Sequence, residues 1–389
     1  MNKKHFRWLI PVVVLAVLGS GLALWWSARS PAAVQASLVG LPVTSSADFA
    51  RAYQPLPLAF PRDHGPHPDF QTEWWYYTGN VQTEDGRRFG YQLTFFRRAV
   101  QPVAERVARP SAWAIEQVYL AHFTLTDVAG QGFHAFERLE RGAAGLAGAA
   151  GDPNYSVWLR DWSVEQTGPD QYHLRAAEQG LALDLTLNDL KGAILQGEQG
   201  LSRKGPEPGN ASIYYSQTRL QSEGTITVDA ETFAVSGLSW LDREFSTSAL
   251  SQGQVGWDWF SLQLDDGSEI MAYVLRREDG SIDVFSKGIY ISPDGSTRLL
   301  QREDFMITAT GQWTSPHSRG VYPSGWTVEI PAVGLVLEVE PLLKDQELNL
   351  SFIYWEGAVQ VRGKHNEQAL TGFGYVELTG YARSLEGQF

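Results

Sequence analysis

The fold is decided by residues 73–98, EWWYYTGNVQTEDGRRFGYQLTFFRR, whose pattern returns in a looser form at residues 256–277, GWDWFSLQLDDGSEIMAYVLRR. Each segment runs from an aromatic cluster through an Asp-Gly pair into an alternating strand and ends in Arg-Arg. An Asp-Gly pair between alternating apolar residues is a strong hairpin signal, because both central residues of a type I′ turn need positive φ. We predict equivalent hairpin turns at Asp85-Gly86 and Asp266-Gly267, and therefore one β-domain used twice. The alternative is chance similarity, since hairpins are common units.

Around these hairpins the chain alternates between short strands and turn residues. Within residues 89–95 every second side chain is large and apolar, and segments of similar length recur through both halves of the chain. Many short strands at such regular spacing are typical of an all-β sandwich or barrel. The sequence therefore predicts an all-β protein with a linker over residues 37–60, a first domain over residues 61–249 and a second domain over residues 250–389.

Residues 1–36 have the features of a targeting segment. Lys3, Lys4 and Arg7 form a basic head, and residues 8–28 carry no charge. A span of this length fits either a cleaved signal peptide or a retained membrane anchor. In both cases the basic head stays in the cytoplasm, so we expect the folded body to be exported, either periplasmic or membrane-anchored and facing the periplasm or exterior.

Composition and motifs exclude several classes of function. The chain has 31 basic and 44 acidic residues, which makes nucleic acid a poor partner because phosphate binding needs clustered Lys and Arg. There are no cysteines, and the eight histidines have no metal-ligand spacing, so we expect no metal. No phosphate-binding loop or dinucleotide fingerprint is present, and we expect no cofactor. The Gly-x-Ser-x-Gly motif of α/β-hydrolases is also absent.

Five acidic residues stand beside aromatic residues: Glu73, Asp242, Glu244, Asp258 and Glu356, of which Glu73, Asp242 and Glu356 are candidates for catalysis. An apolar, aromatic surrounding disfavours the charged carboxylate and raises its pKa, so such a group can hold a proton near neutral pH and act as a general acid. We favour Asp242, because strand alternation places it on one face with Trp240 and Glu244. The alternative for each site is a carboxylate that points to solvent or caps a turn.

His122 is a fourth candidate for proton transfer; the alternative is a hydrogen-bonded histidine in the core or at its rim. The chain also has 14 tryptophans, more than two small cores need, so an aromatic-lined cavity for an apolar ligand is a reasonable use of them. Plain barrel core is the alternative. The candidate ligand-binding residues are Trp74, Trp75, Tyr77, Tyr215, Trp240, Trp257, Trp259 and Trp355. We expect the proton-transfer candidates to meet Trp240, Trp257 and Trp259 in one pocket near the domain junction.

At these residues the chain resembles a known family. Residues 67–79, HPDFQTEWWYYTG, are similar to the opening motif of AttH-type secreted proteins, relatives of the carotenoid 1,2-hydratases (hydroxyneurosporene synthases). Further matches cover nearly the whole predicted exported part, at residues 121–123, 214–216, 240–242, 256–260, 313–316, 322–326, 354–357 and 374–381. The resemblance implies two lipocalin-like β-barrels in tandem, in agreement with the repeat.

The resemblance also implies a chemistry. The hydratase relatives add water to an isolated double bond: an aspartic acid protonates the alkene, and water traps the resulting carbocation. Asp242 matches the aspartate of their Asp-His-Asn-type turn, although Arg243 follows where many relatives have histidine, and Tyr214-Tyr215 stand at the place of an upstream His/Trp pair. Other distant relatives are pericyclases. AttH proteins are also described as predicted hydrolases, but the sequence offers no nucleophile for hydrolysis.

Two functions therefore stay open. The first is an exported hydratase or lyase-like enzyme acting on an apolar terpenoid or lipid-like molecule, with Asp242 as the acid and Trp240, Trp257 and Trp259 stabilising a cation through their π faces. The second is a non-catalytic lipid-binding carrier that works beside a membrane transporter. A raised pKa of a buried Asp242 would favour the enzyme, and an exposed Asp242 would favour the carrier.

Overall fold

The computed structural model describes residues 48–106, 111, 113–247 and 250–386. The predicted targeting segment and the first part of the predicted linker lie outside these residues. In the part of the chain that is described, no helix combines the length and the apolar character needed to cross a membrane. Strands dominate it, and its helical structure is limited to short 3₁₀ turns, among them Arg62–His64, Val103–Glu105, Arg302–Asp304 and Pro331–Val333. The prediction of an all-β protein is confirmed.

The first sheet contains 13 of the described strands, all paired antiparallel. In chain order, the first and the last strands of this sheet are long. Their alternating apolar side chains can therefore cover a whole side of the core. The strands are β1 Thr72–Gln82, β2 Arg88–Ala99, β3 Gln117–Asp127, β4 Gly132–Arg141, β5 Ala147–Ala150, β6 Ser156–Leu159, β7 Trp162–Gly168, β8 Gln171–Glu178, β9 Leu181–Asp189, β10 Ala193–Leu195, β11 Leu201–Arg203, β12 Ala211–Val228 and β13 Glu231–Ser246.

The second sheet contains ten strands, and a separate two-stranded ribbon joins β19 to β20 within the described residues. The sheet runs in the order β17-β16-β15-β14-β25-β24-β22-β21-β18, with β23 also paired to β24. The strands are β14 Gln254–Leu264, β15 Glu269–Arg277, β16 Lys287–Ile291, β17 Thr297–Leu300, β18 Met306–Ala309, β19 Gln312–Thr314, β20 Val321–Pro323, β21 Trp326–Ile330, β22 Leu335–Pro341, β23 Glu347–Asn349, β24 Ile353–His365 and β25 Gln368–Leu378.

The two sheets share one topology. In each, the opening strand lies between its hairpin partner and the last strand of the sheet: β1 pairs with β2 and β13, and β14 pairs with β15 and β25. The hairpins at Asp85-Gly86 and Asp266-Gly267 are thus equivalent, as predicted. The chain changes sheets between Ser246 and Gln254. The exact domain limits stay a prediction.

Each sheet curls around its own apolar core. In the first, β5 and β6 at one edge contact β3 and β4 near the other edge, which nearly closes a barrel. Its core includes Trp75, Tyr77 and Leu241, whereas Trp326 and Trp355 belong to the core of the second sheet. The fold is therefore two lipocalin-like antiparallel barrels in tandem, and the outer faces of their central strands pack against each other.

Candidate functional site

A mixed aromatic and polar layer fills the space between the two sheets, and we call it the interlayer. Strand alternation sends one set of side chains into each barrel and the other set into the interlayer. From the first sheet come Tyr76, Tyr214 and Trp240, and from the second come Trp259 and Tyr375. The hydroxyl of Tyr76 and the indole of Trp259 both cross to the opposite sheet. Residues from both halves of the chain therefore build the site.

Asp242, on β13, lies in this layer with a residue exposure of only 4%. The indole Nε1 of Trp240 donates to its Oδ1 at 2.7 Å, the hydroxyl of Tyr214 lies 2.5 Å from its Oδ2, and the hydroxyl of Ser216 also bonds to Oδ1. Burial raises the pKa of Asp242 to about 7, although these three hydrogen bonds pull the pKa down. Because a hydroxyl group can donate or accept a hydrogen bond, Tyr214 or Ser216 can also accept a hydrogen bond from the neutral acid.

Glu356 on β24 and Glu377 on β25 stand directly opposite each other in the ladder. The hydroxyl of Tyr76 donates to Glu356, and the indole Nε1 of Trp257 donates to Glu377 Oε2 at 3.0 Å. Burial, and then repulsion from Glu377, raise the pKa of Glu356 well above its ordinary value, while burial raises the pKa of Glu377 to about 7. Two charged carboxylates in directly opposed positions destabilise a sheet, so this arrangement favours the protonated form of Glu356.

The three carboxyl groups form one electrostatic unit, which we call the acid cluster: Asp242, Glu356 and Glu377. The negative charge of Asp242 raises the pKa of both glutamates. Indole N–H groups surround the unit, since Trp259 Nε1 donates to Tyr214 at 3.1 Å and Tyr214 in turn contacts Asp242. The cluster can therefore hold and exchange protons near neutral pH in a site that largely excludes water.

The structure places Glu73 elsewhere. Glu73 points into the first barrel, on the face of β1 opposite to Tyr76, where its carboxylate is paired with the buried guanidinium groups of Arg97 and Arg243. Burial alone would raise the pKa of Glu73, but the two arginines outweigh burial and hold the pKa well below its usual range. A carboxylate held in this charged state cannot serve as the general acid that the sequence suggested.

His122 lies at the border of the interlayer. Its Nδ1 is 2.8 Å from the hydroxyl of Tyr354, and its Nε2 is 3.2 Å from Glu137. Tyr354 shares a face of β24 with Glu356, two residues further along the strand. His122 is thus joined to the neighbourhood of the acid cluster through one tyrosine, without touching Asp242 in a direct hydrogen bond.

The predicted ligand-binding aromatic residues divide between three places. Four lie in the interlayer: Trp74, Trp240, Trp257 and Trp259. Trp75 and Tyr77 occupy the first core instead, because odd-numbered positions of β1 point inward, and Trp355 occupies the second core for the same reason on β24. Tyr215 packs inside the first barrel, where its hydroxyl is 2.6 Å from His64 Nδ1.

Sequence reasoning missed Glu377, Tyr76 and the role of the Tyr214 hydroxyl. Residues 374–378 alternate aromatic, apolar and acidic side chains as the segment around Asp242 does, so that pattern could have marked Glu377. Its opposition to Glu356 depends on the pairing of β24 with β25, which no local pattern encodes. Across the described chain, no group of three or more His, Asp or Glu residues is arranged to hold a metal ion.

A cavity of about 490 Å³ lies on the other side of β12 from the acid cluster. Gln217 lines it, whereas the preceding residue, Ser216, points into the interlayer and bonds to Asp242. The cavity and the acid cluster therefore involve neighbouring residues of β12 but lie on opposite faces of that strand. We place the proton chemistry at the acid cluster on the basis of its hydrogen bonds and burial, and treat the cavity as a separate feature.

Comparison with known proteins agrees with this architecture. Residues 51–381 match the model of the AttH-like family. A crystal structure of a protein from Nitrosomonas europaea assigned to AttH is 35% identical, with a TM-score of 0.75 over 86% of this chain and all of the other. Kievitone hydratase from Nectria haematococca is 15% identical, with a TM-score of 0.64 over 86% of this chain and 96% of the other, which shows a shared fold. No curated protein matches the sequence. The chain belongs to the AttH-like family.

Proposed function

We propose that the protein is a hydratase-like enzyme in which Asp242 protonates a carbon–carbon double bond of an apolar, terpenoid or lipid-like molecule. The observation that carries this proposal is a buried carboxyl group, with a pKa of about 7, that accepts a hydrogen bond from an indole. Protonation of an alkene needs an acid that keeps its proton near neutral pH and a surrounding that favours a cation. That kievitone hydratase has the same fold is consistent with this chemistry.

The proposed reaction balances with the groups at hand. Asp242 gives its proton to one alkene carbon, which leaves a carboxylate on Asp242 and a carbocation on the neighbouring carbon. The π faces of Trp240, Trp257 and Trp259 stabilise that cation. Water adds through its oxygen and releases a proton to Glu377, whose pKa of about 7 suits it to accept the proton. Transfer of that proton through the cluster to Asp242 then restores the acid. The net change is the addition of one water molecule.

The test uses isoprenoid alkenes such as geraniol, squalene and lycopene in isotopically labelled water, with mass spectrometry of the products. Wild-type protein is expected to place labelled oxygen in one of them. Asp242→Asn keeps the shape but loses the acid, so turnover should drop by about a hundredfold or more, the contribution typical of a general acid. Asp258→Asn is the matched control: Asp258 lies between Trp257 and Trp259 in the sequence and is half-buried, but it pairs with Arg276, so this variant should keep its turnover. Equal turnover in Asp242→Asn and wild type would refute the role of Asp242.

We also propose that the folded body is exported, on the strength of the basic head and the uncharged span over residues 8–28. A reporter enzyme fused after residue 60 should be active outside the cytoplasm, because everything after the uncharged span would be translocated. A fusion that is active only in the cytoplasm would contradict export.

A lipid carrier is the second candidate, because two lipocalin-like barrels that meet through an aromatic layer could hold an apolar ligand without any acid. Native mass spectrometry of the purified protein would identify any co-purifying lipid. A bound lipid that is retained equally by wild type and Asp242→Asn, with no product from any alkene, would favour the carrier over the enzyme.

A further inference from the structure

We propose that the cavity beside β12 binds a neutral polyhydroxylated molecule such as a sugar ring. Asp170 and Asp189 would accept hydrogen bonds from its hydroxyl groups, and Phe60 would pack against its apolar face. This site is distinct from the acid cluster, and the inference does not depend on the proposed hydratase activity. Three observations support it: the character of the lining, a row of hydrogen bonds that holds Asp189 in place, and an exposed aromatic rim.

The lining selects against anions and against apolar molecules. The cavity, of about 490 Å³, is large enough for a small ligand, and neither lysine nor arginine lines it. Its formal negative charges come from Asp170 and Asp189, and amide and hydroxyl side chains provide further polar groups. An anion would meet these two carboxylates without a cationic partner, and an apolar molecule would leave polar groups desolvated and unpaired.

A row of hydrogen bonds fixes the orientation of the polar wall. It runs from Tyr215 to His64 Nδ1 at 2.6 Å, and from His64 Nε2 to Tyr172 at 3.3 Å. Gln217 Nε2 then donates to the Tyr172 hydroxyl at 2.9 Å and to Asp189 Oδ2 at 2.5 Å. Because both donors of the amide are engaged in this way, its carbonyl oxygen must face away from the row.

That carbonyl oxygen is an unpaired acceptor. Gln217 is only 2% exposed, and in the described structure its Oε1 has no hydrogen-bond partner. A buried polar atom without a partner is destabilising by roughly 1–3 kcal/mol, so such atoms call for an explanation. Oε1 has almost no accessible surface, so it does not itself face the cavity. The amide instead holds Asp189 in place, and Asp189 and Asp170 are the acceptors that a ligand hydroxyl group can meet.

His64 does not change the charge of the site. Burial, and then the nearby Arg243, lower the pKa of His64 to about 3, so the ring is neutral across the physiological range. The wall thus presents a neutral imidazole, amide groups and carboxylates. Hydroxyl groups of an uncharged ligand match such a wall, since each can donate to an acceptor and accept from a donor.

Phe60 completes the site at its rim. Its side chain lines the cavity yet remains 42% exposed, with its ring 4.5 Å from the His64 ring and 5.0 Å from the Tyr215 ring. A large exposed aromatic ring at the mouth of a polar cavity offers an apolar surface to a ligand with one apolar face. The carbon-bound hydrogens of a sugar ring provide such a face.

The test is saturation-transfer NMR and titration with maltose and myo-inositol as neutral probes, and with glucose 6-phosphate and 1-octanol as anionic and apolar comparisons. We expect at least one neutral probe to bind and the two comparisons not to bind. Gln217→Leu and Phe60→Ala should each weaken binding by about tenfold, the change that loss of one buried hydrogen bond or ring contact produces. Trp113→Ala, another exposed aromatic residue but one outside the cavity, is the matched control and should bind like wild type.

Several outcomes would overturn the proposal: no binding of either neutral probe, preference for glucose 6-phosphate or 1-octanol, or neutral-probe binding that Phe60→Ala leaves unchanged. Phe60 is exposed enough for its substitution to spare the fold, so this variant decides the matter even if Gln217→Leu does not fold. Asp242→Asn should bind the neutral probe like wild type, and this result separates the two sites: loss of alkene turnover alone concerns the acid cluster, and loss of sugar binding alone concerns the cavity.

Discussion

Two acidic residues in similar sequence surroundings end in opposite protonation states. Glu73 and Asp242 are both buried beside aromatic rings, but only Glu73 meets arginine. Arg243 directly follows Asp242 in the chain, yet alternation turns Arg243 into the first barrel toward Glu73 and turns Asp242 into the interlayer toward neutral donors. A buried carboxyl group is ionised by cationic partners and kept neutral without them. The charge of the hydrogen-bonding partner, more than the aromatic surroundings, therefore decides whether the buried carboxyl group is ionised.

Glu73→Gln should therefore destabilise the protein strongly. The amide leaves Arg97 and Arg243 buried without a counter-charge, and breaking a buried ion pair in this way typically costs about 3–5 kcal/mol. Denaturant unfolding measures the loss. Glu367→Gln is the control, because its pair with Lys364 is exposed and is expected to contribute less than about 1 kcal/mol. A loss at Glu73 no larger than that at Glu367 would contradict the structural role assigned to Glu73.

At the scale of elements, the sequence located both hairpins but not their turn type. Type I′ turns at the Asp-Gly pairs were predicted, and that prediction is wrong: only Gly86 and Gly267 have positive φ, at 91° and 86°, while the aspartates do not. Thr83 and Arg87 close a three-residue loop, and Gly86 N–H donates back to Thr83 at 3.0 Å. This is a type I turn followed by a left-handed glycine, the next common hairpin loop. The Asp85 side chain accepts from Thr83 and stabilises this form.

Gly86 tests this turn in isolation from packing. A Cβ placed there meets nothing within 4 Å, so a substitution changes only the backbone preference. Gly86→Ala should lower the free energy of unfolding by about 1 kcal/mol, because alanine resists positive φ. Gly86→Asn, whose side chain tolerates that conformation, should lose clearly less. Equal losses in the two variants, measured by thermal unfolding, would show that left-handed backbone does not control this turn.

At the scale of the whole molecule, the candidate site exists only because two barrels pack by their outer faces. Local patterns were sufficient to predict strands, the repeat and the shared face of Trp240 and Asp242, since these depend on alternation alone. They could not predict that Glu356 and Glu377 would oppose each other, nor that Tyr76 would reach across to Glu356, because those contacts depend on strand order and on the packing of one sheet against the other. Trp75 and Trp355 were misplaced for a related reason: both faces of β1 and β24 are aromatic, so aromatic content did not reveal which face was the core.

This packing makes stability depend on pH. The pKa of Asp242 rises from 3.8 in the unfolded chain to about 7 when folded, so between these values the folded state binds a proton that the unfolded state has released. The free energy of unfolding therefore falls as pH rises through this window, by up to about 1.4 kcal/mol per pH unit for the group. Asp242→Asn removes that contribution. The melting temperature of the variant minus that of the wild type should therefore rise as the pH increases from about 5 to about 8.

The lowered pKa of His64 acts with the opposite sign, because the unfolded chain binds more protons than the folded histidine, but His64 is present in both proteins and cancels in the comparison. Asp161→Asn, at an exposed aspartate, should show no such pH-dependent gain over wild type. A constant difference in melting temperature between Asp242→Asn and wild type across the pH range would contradict the raised pKa.

The most direct test of the central claim is a pH titration of the Asp242 carboxyl carbon by NMR, with carbon-13-labelled aspartate and the Asp242→Asn variant to assign the signal. We expect a midpoint near 7, because burial among indoles and phenols outweighs the hydrogen bonds that favour the ionised form. A midpoint close to the ordinary value of 3.8 would mean that Asp242 is ionised at neutral pH and cannot protonate an alkene.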